Sequence, residues 1–173
     1  MRIIFIIVLA VSTFAACHTK SSDYTHSAPL IDACSVLTKE LAEDAIGEPA
    51  KEAKIEKSVG ESAEAAVMQC FYAGTGTENF HSASLLIRRA GQNENTSEAP
   101  QQYETSIRKQ FGTNHIIVNV QGLGESALLD PAMKQFIVFQ GRNMFVFSLT
   151  GFPPEELEQR LMELAVKSLK KKG

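Results

Sequence analysis

Long apolar runs are almost missing from this chain: the only one, Ile3 to Ala16, gives way to Cys17 and then to polar His18, Thr19 and Lys20. A membrane-spanning helix needs about 20 apolar residues, so this run is too short to be one. Histidine and cysteine are scarce, at four and three residues. His18, His26, His81 and His115 are scattered and no Cys-x-x-Cys spacing occurs, which argues against a zinc set and against a redox dithiol. Neither sign of charge dominates, with 17 Lys and Arg against 20 Asp and Glu, so nothing points to nucleic acid as a partner. No internal repeat or composition break marks a second domain.

What is present at the N-terminus is more informative. Arg2, an apolar stretch rich in Ile, Val, Leu and Phe, and then Ala15-Ala16-Cys17 read as an export signal ending in a lipidation site, with Phe14 slightly unusual in the cleavage box. Residues 1–16 are therefore expected to be a removed signal peptide, and Cys17 the acylated anchor to a membrane. Acyl chains contribute about 0.8 kcal/mol per buried CH₂, so several of them hold a protein without any spanning helix. With His18 rather than Asp after Cys17, the expected place is the cell envelope. In a Gram-negative cell that means the outer membrane facing the periplasm, and otherwise the outer face of the plasma membrane.

Loss of residues 1–16 removes Arg2 and leaves 157 residues carrying 16 Lys and Arg against 20 Asp and Glu, a formal −4. That length suits one domain with a real core. Residues 17–30, the lipidated cysteine and a polar stretch with Ser21, Ser22, Ser27 and Pro29, read as a flexible tether with an r.m.s. reach of about 20 Å. Residues 31–173 form the expected folded body. Setting Cys17 aside leaves Cys34 and Cys70, the even pair that an oxidising compartment joins as a disulfide. Closing such a loop removes roughly 3 to 4 kcal/mol of denatured-state entropy on the chain model.

Within the body, Thr38 as N-cap, Glu40 in the first turn and Gly47 as the stop predict a short helix with Leu37, Leu41, Ala45 and Ile46 facing inward. The charged stretch Glu48 to Ala66 reads as a solvated edge strand. Val67 to Tyr72 and Ala83 to Arg89 read as strands on either side of Gly74-Thr75-Gly76. Pro100 opens a helix whose Tyr103, Ile107 and Phe111 recur every four residues. His115 to Val120 is a further strand. Gln135 to Phe139 and Met144 to Leu149 flank Gln140-Gly141-Arg142-Asn143 as a hairpin, and apolar Phe145, Val146 and Phe147 in succession suggest a central strand buried on both sides. Pro153 and Pro154 start a closing helix with Leu157, Leu161, Leu164 and Leu169 on one face, acids in its first turn and Lys167 and Lys170 to Lys172 at its end. The order predicts an α+β fold: an antiparallel sheet of about five or six strands, covered on one face by N-terminal, middle and C-terminal helices.

Several groupings invite a chemical reading. Gly122-Leu123-Gly124-Glu125-Ser126-Ala127 matches a dinucleotide-binding pattern, but that chemistry needs a helix beginning at the glycines so that free N–H groups meet a pyrophosphate, and Asp130-Pro131 follows too soon. A turn in which Gly122 and Gly124 take unusual φ values is the plainer reading. Ser126 lacks the Gly-x-Ser-x-Gly context of a nucleophile elbow. Glu43-Asp44 and Glu155-Glu156 read as solvated helix charges, and Phe136, Phe139, Phe145, Phe147 and Phe152 as core. No cofactor or metal is expected.

Taken together, Asp32-Ala33-Cys34-Ser35-Val36-Leu37-Thr38, Gly47, Cys70-Phe71-Tyr72, the Gly122 to Ala127 turn, the hairpin and the closing helix resemble a group of small bacterial lipoproteins of unknown function. That group shares a Cys-Ser-Leu-Leu-Thr start, a second Cys followed by an aromatic, and a Gly-Leu-Gly-Asp-x-Ala turn; here Val36 replaces a Leu and Glu125 an Asp. The likeness spans nearly all of the mature chain on short motifs. It implies an α+β lipoprotein domain with a Cys34–Cys70 disulfide and no established catalytic residues. The expectation for function is a non-catalytic binding or interaction domain at the membrane, with an envelope protein as partner. A small apolar ligand is the alternative, as is an enzyme of unrecognised type, which convergence of His115, Glu125 and Ser126 in one pocket would favour.

Overall fold

The computed structural model describes residues 30–59, 66–76, 80–91 and 94–170. Cys17, the signal segment 1–16, the tether up to residue 29 and Lys171 and Lys172 lie outside the described residues. After the short α1 (Ala33–Val36), capped by Asp32, comes α2 (Lys39–Ile46). Thr38 caps α2 through its hydroxyl and Gly47 ends it at φ 77°, both as the sequence predicts. The strands are β1 (Lys54–Val59), β2 (Ala66–Ala73), β3 (Ser82–Arg89), β4 (Val118–Val120), β5 (Ser126–Asp130), β6 (Gln135–Gln140) and β7 (Asn143–Thr150); α3 (Ala99–Phe111) follows β3 and α4 (Pro154–Lys170) follows β7.

All seven strands join one antiparallel sheet in the order β1-β2-β3-β7-β6-β5-β4. The expected five or six becomes seven because Ser126–Asp130, between Gly124 and Pro131, is a further strand pairing with both β4 and β6. Two meanders, β1-β2-β3 and β4-β5-β6-β7, meet where β3 pairs with β7. β7 is thus the central strand, in keeping with its run Phe145-Val146-Phe147.

Alternation assigns each strand residue to a face. One face carries Cys70, Leu85, Phe147, Phe136 and Leu129, which pack with Val36, Leu37, Ile46, Leu157, Leu161 and Leu164 of the α1, α2 and α4 region into a single large core. The opposite face carries a smaller cluster, Leu128, Ile137, Phe139 and Val146, with Tyr103 and Ala99 of α3 against it. The expectation that every helix covers the same face is therefore corrected. β3 lies in the middle of the sheet and β4 at its edge, so the connection carrying α3 must cross β7, β6 and β5, and it does so on the face that α4 leaves free. Among the described residues no helix is long and apolar enough to cross a membrane.

Candidate binding cleft

Cys34 and Cys70 form a disulfide, with Cα atoms 5.1 Å apart. It fastens α1 to β2 beside the charged β1, which is the edge strand the sequence predicts. Cys70 is fully buried, so the bridge belongs to the packed face.

Gly122 and Gly124 have φ values of 85° and 63°, conformations that suit glycine. A Cβ on Gly124 would also strike the Phe139 carbonyl and the Val138 side chain. A strand, not a helix, follows them, so the bundle of free N–H groups that a pyrophosphate needs is missing at this turn. His115, Glu125 and Ser126 do not converge. Glu125 accepts the Gly141 N–H at 3.1 Å, while His115 Nε2 meets Asp130 Oδ2 at 2.8 Å. Ser126 and Asp130 begin and end β5, about 13 Å apart at the usual rise of a strand.

The His115–Asp130 pair is almost wholly buried, with side chains 8% and 0% exposed. Its remaining bonds are local: Asp130 Oδ1 accepts the Met133 N–H in the β5–β6 turn, and Arg108 donates to the His115 carbonyl. The pair therefore fastens the 112–117 loop to the hairpin. His81 is likewise held, by Glu48 at 2.9 Å and by stacking on Phe152, which Arg160 covers from a ring distance of 4.7 Å. Glu43 accepts the Ala50 N–H and Asp44 pairs with Lys167, so both carboxylates have structural partners. Among the described residues no group of three or more His, Cys, Asp or Glu could hold a metal ion.

An opening that combines apolar surface with two arginines lies on the second face, between the N-terminal half of α3 and the ends of β3 and β7. It is a cleft of about 250 Å³. Phe139, Met144 and Ala99 line its apolar side, and Tyr103 packs edge-on against Phe139 with centroids 6.3 Å apart. Burial, and then the charge of Asp130, push the Tyr103 hydroxyl up to about 12, so it is neutral at any physiological pH and serves as a donor to Gln135 Oε1 at 3.4 Å.

Arg88 and Arg142 supply the charge at the rim. Arg88 Nη2 donates to Glu94 Oε2 at 2.7 Å, and Arg142 Nη2 to the Ala90 carbonyl at 2.8 Å. The Gly91 N–H, which Glu94 accepts at 3.0 Å, and then Arg88 hold the Glu94 carboxyl below the usual carboxylate range. Two guanidinium groups against one carboxylate leave the rim with an excess positive charge, in a chain whose formal total is −3. Another cavity, of about 480 Å³, lies among Ile31, Val36, Phe145 and Leu169 on one side and Glu125, Gln140, Gly141 and Asn143 on the other.

The sequence singled out none of the rim residues. Arg88 is the penultimate residue of β3 and Arg142 occupies the two-residue loop of the β6–β7 hairpin. They share a cleft only because β3 pairs with β7, placing Arg88 opposite Met144. No family model, no curated protein and no solved structure matches the chain.

Proposed function

We propose that this protein is a lipid-anchored component of the bacterial cell envelope, held at Cys17, whose domain binds a protein partner through the α3 cleft without catalysing a reaction. The observation that carries the binding reading is the composition of that cleft, an apolar floor beneath a rim with two arginines. Its size argues for a partner's side chains rather than an enclosed molecule, because about 250 Å³ falls short of the roughly 300–1,000 Å³ of sites that engulf small ligands. An apolar side chain next to a carboxylate fits the floor and the rim together, since a guanidinium fork receives a carboxylate in a bidentate manner. The apolar run ending at Cys17 and the short-motif resemblance support the anchor.

The test uses a photo-crosslinking residue at Gln102, beside the cleft, and another at Glu158, an exposed position on α4. The full chain and its Cys17→Ser form are irradiated in intact cells. A partner captured from Gln102 alone, and lost when Arg142→Glu reverses the rim charge, supports the reading. Equal capture from both positions rejects the cleft, and a mature N-terminus without acyl groups by mass spectrometry rejects the anchor.

A small apolar ligand is the second reading, favoured by the 480 Å³ cavity beside Val36 and Phe145, whose volume falls in the small-ligand range. A chain that releases a hydrophobic molecule on denaturation would favour it.

A further inference from the structure

The sheet has two edges with opposite character. β1 presents Lys54, Glu56, Lys57 and Ser58, all exposed, and charge on an edge strand is a common protection against pairing with another chain. β4 has no charge of that kind. It lies within Ile116-Ile117-Val118-Asn119-Val120-Gln121-Gly122-Leu123-Gly124, nine residues without a charge, and among the described residues β5 is its one pairing neighbour.

Around this edge the exposed apolar side chains also collect. Ile116 is 68% exposed and Val118 44%, while Phe111 and Met133 are 46% and 37%. These are four of the seven large hydrophobic residues exposed among the described ones. The last two flank the edge, because Phe111 packs on the His115 ring and the Met133 N–H donates to Asp130, the partner of His115.

We infer that β4 is a self-association edge, where a second copy of this chain adds its own β4 in antiparallel register about a twofold axis. The chemistry of the strand selects the occupant. In a twofold antiparallel pair centred on a residue, that residue faces its own copy, so a charge there meets its own sign; β4 carries none, whereas a β1 pair centred on Lys57 would set lysine against lysine. Centred on Asn119, the pair sets each Val118 against the partner's Val120, and the two Asn119 amides face each other. An amide offers both a donor and an acceptor, so Asn119 satisfies its twin. Because the strand is only three residues long, the contact is smaller than the roughly 1,200–2,000 Å² of stable interfaces, and the pair is weak and dependent on concentration.

The test is disulfide trapping of the full chain in whichever cell fraction holds it, so its reading does not depend on the anchor. Residues directly opposite in an antiparallel pair have Cα atoms roughly 4.5–5.5 Å apart, within the span of a disulfide. Asn119→Cys is therefore expected to give a homodimer under mild oxidation, at least about tenfold more than Ser58→Cys on the β1 edge. Adding Val118→Lys sets an ammonium beside the axis on each copy and is expected to abolish the trapping. Val118 is exposed, so the thermal midpoint of that variant should match the parent. Equal trapping at the two edges would show random collision and overturn the inference. So would an Asn119→Cys chain that stays monomeric, one that bonds to a different protein, or trapping that survives Val118→Lys in a chain with an unchanged midpoint.

Discussion

The two faces of the sheet are built to different standards. On one, α1, α2 and α4 close over a continuous core of large side chains such as Leu85, Phe147, Leu149 and Leu161, each 0–1% exposed, and a disulfide joins helix to sheet. On the other, a single helix, in which no residue is fully buried, rests on four core residues and leaves a cleft beside it. The contrast is one of packing: the first face holds the larger continuous core, and the second leaves its strands half-covered by α3, the surface on which the proposed binding rests.

Two adjacent residues on β3 face the two sides of the sheet. Leu85 points into the large core and Leu86 toward α3. Leu85→Ala is expected to cost about 3–5 kcal/mol of unfolding free energy, because the cavity it leaves cannot collapse. Leu86→Ala is expected to cost about 1–2 kcal/mol, since its site is already partly open. Equal losses in denaturant unfolding would show that the faces share the load.

Next in size is the disulfide. Cys34→Ala with Cys70→Ala opens a bridge that spans 36 positions and is expected to lower stability by about 3–4 kcal/mol. Amide hydrogen exchange should rise in α1 and α2 while α3 keeps its protection. Faster exchange in α3 as well would mean that the second face leans on the first.

A third effect concerns pH and α3. The native Tyr103 holds its proton to about pH 12 against an ordinary value of 10.0. Between those values the folded state binds more protons than the unfolded one, so stability falls as pH rises through that window and is unaffected below it. Tyr103→Phe is expected to remove part of this fall; Tyr72, raised by burial, and Lys39 and Lys167, raised by their hydrogen bonds to Glu52 and Asp44, act in the same direction. A phenolate absorbance titration should lose its highest-pH component in the variant.

The smallest expected change is at the rim. Glu94→Gln weakens the hold on Arg88 and should leave the thermal midpoint almost unaltered, since exposed ion pairs contribute little, while strengthening binding of an acidic partner to the cleft.

Local chemistry is what the sequence made legible. Thr38 and Gly47 bound α2 through their own backbone and side-chain preferences, and a two-residue loop led by Gly141, at φ 56°, turns the hairpin as its position suggests. β5 was illegible because Ser126–Asp130 sits between Gly124 and Pro131, both turn signals; neighbours on each side make it a strand, and pairing is not written in a five-residue window. β4 begins at Val118 and not at His115, whose ring bonds Asp130 of the adjacent strand. The cleft was hidden for the same reason as β5. Arg88, Glu94, Tyr103 and Arg142 come together through the β3–β7 pairing and the path of α3 across the sheet, which no spacing in the chain announces.

The Cys34–Cys70 bridge also determines how the molecule takes mechanical load. Tension applied at the N-terminus reaches the fold at Cys34, four residues after Leu30, and passes through a covalent link into β2. The 36-position loop between the two cysteines, which holds α2 and β1, is short-circuited and bears none of that force. A pull from that end therefore bypasses the edge strand and loads β2, a strand held by a neighbour on each side. A domain hung by its N-terminus in this way would resist extraction as a unit rather than unravel from its point of attachment.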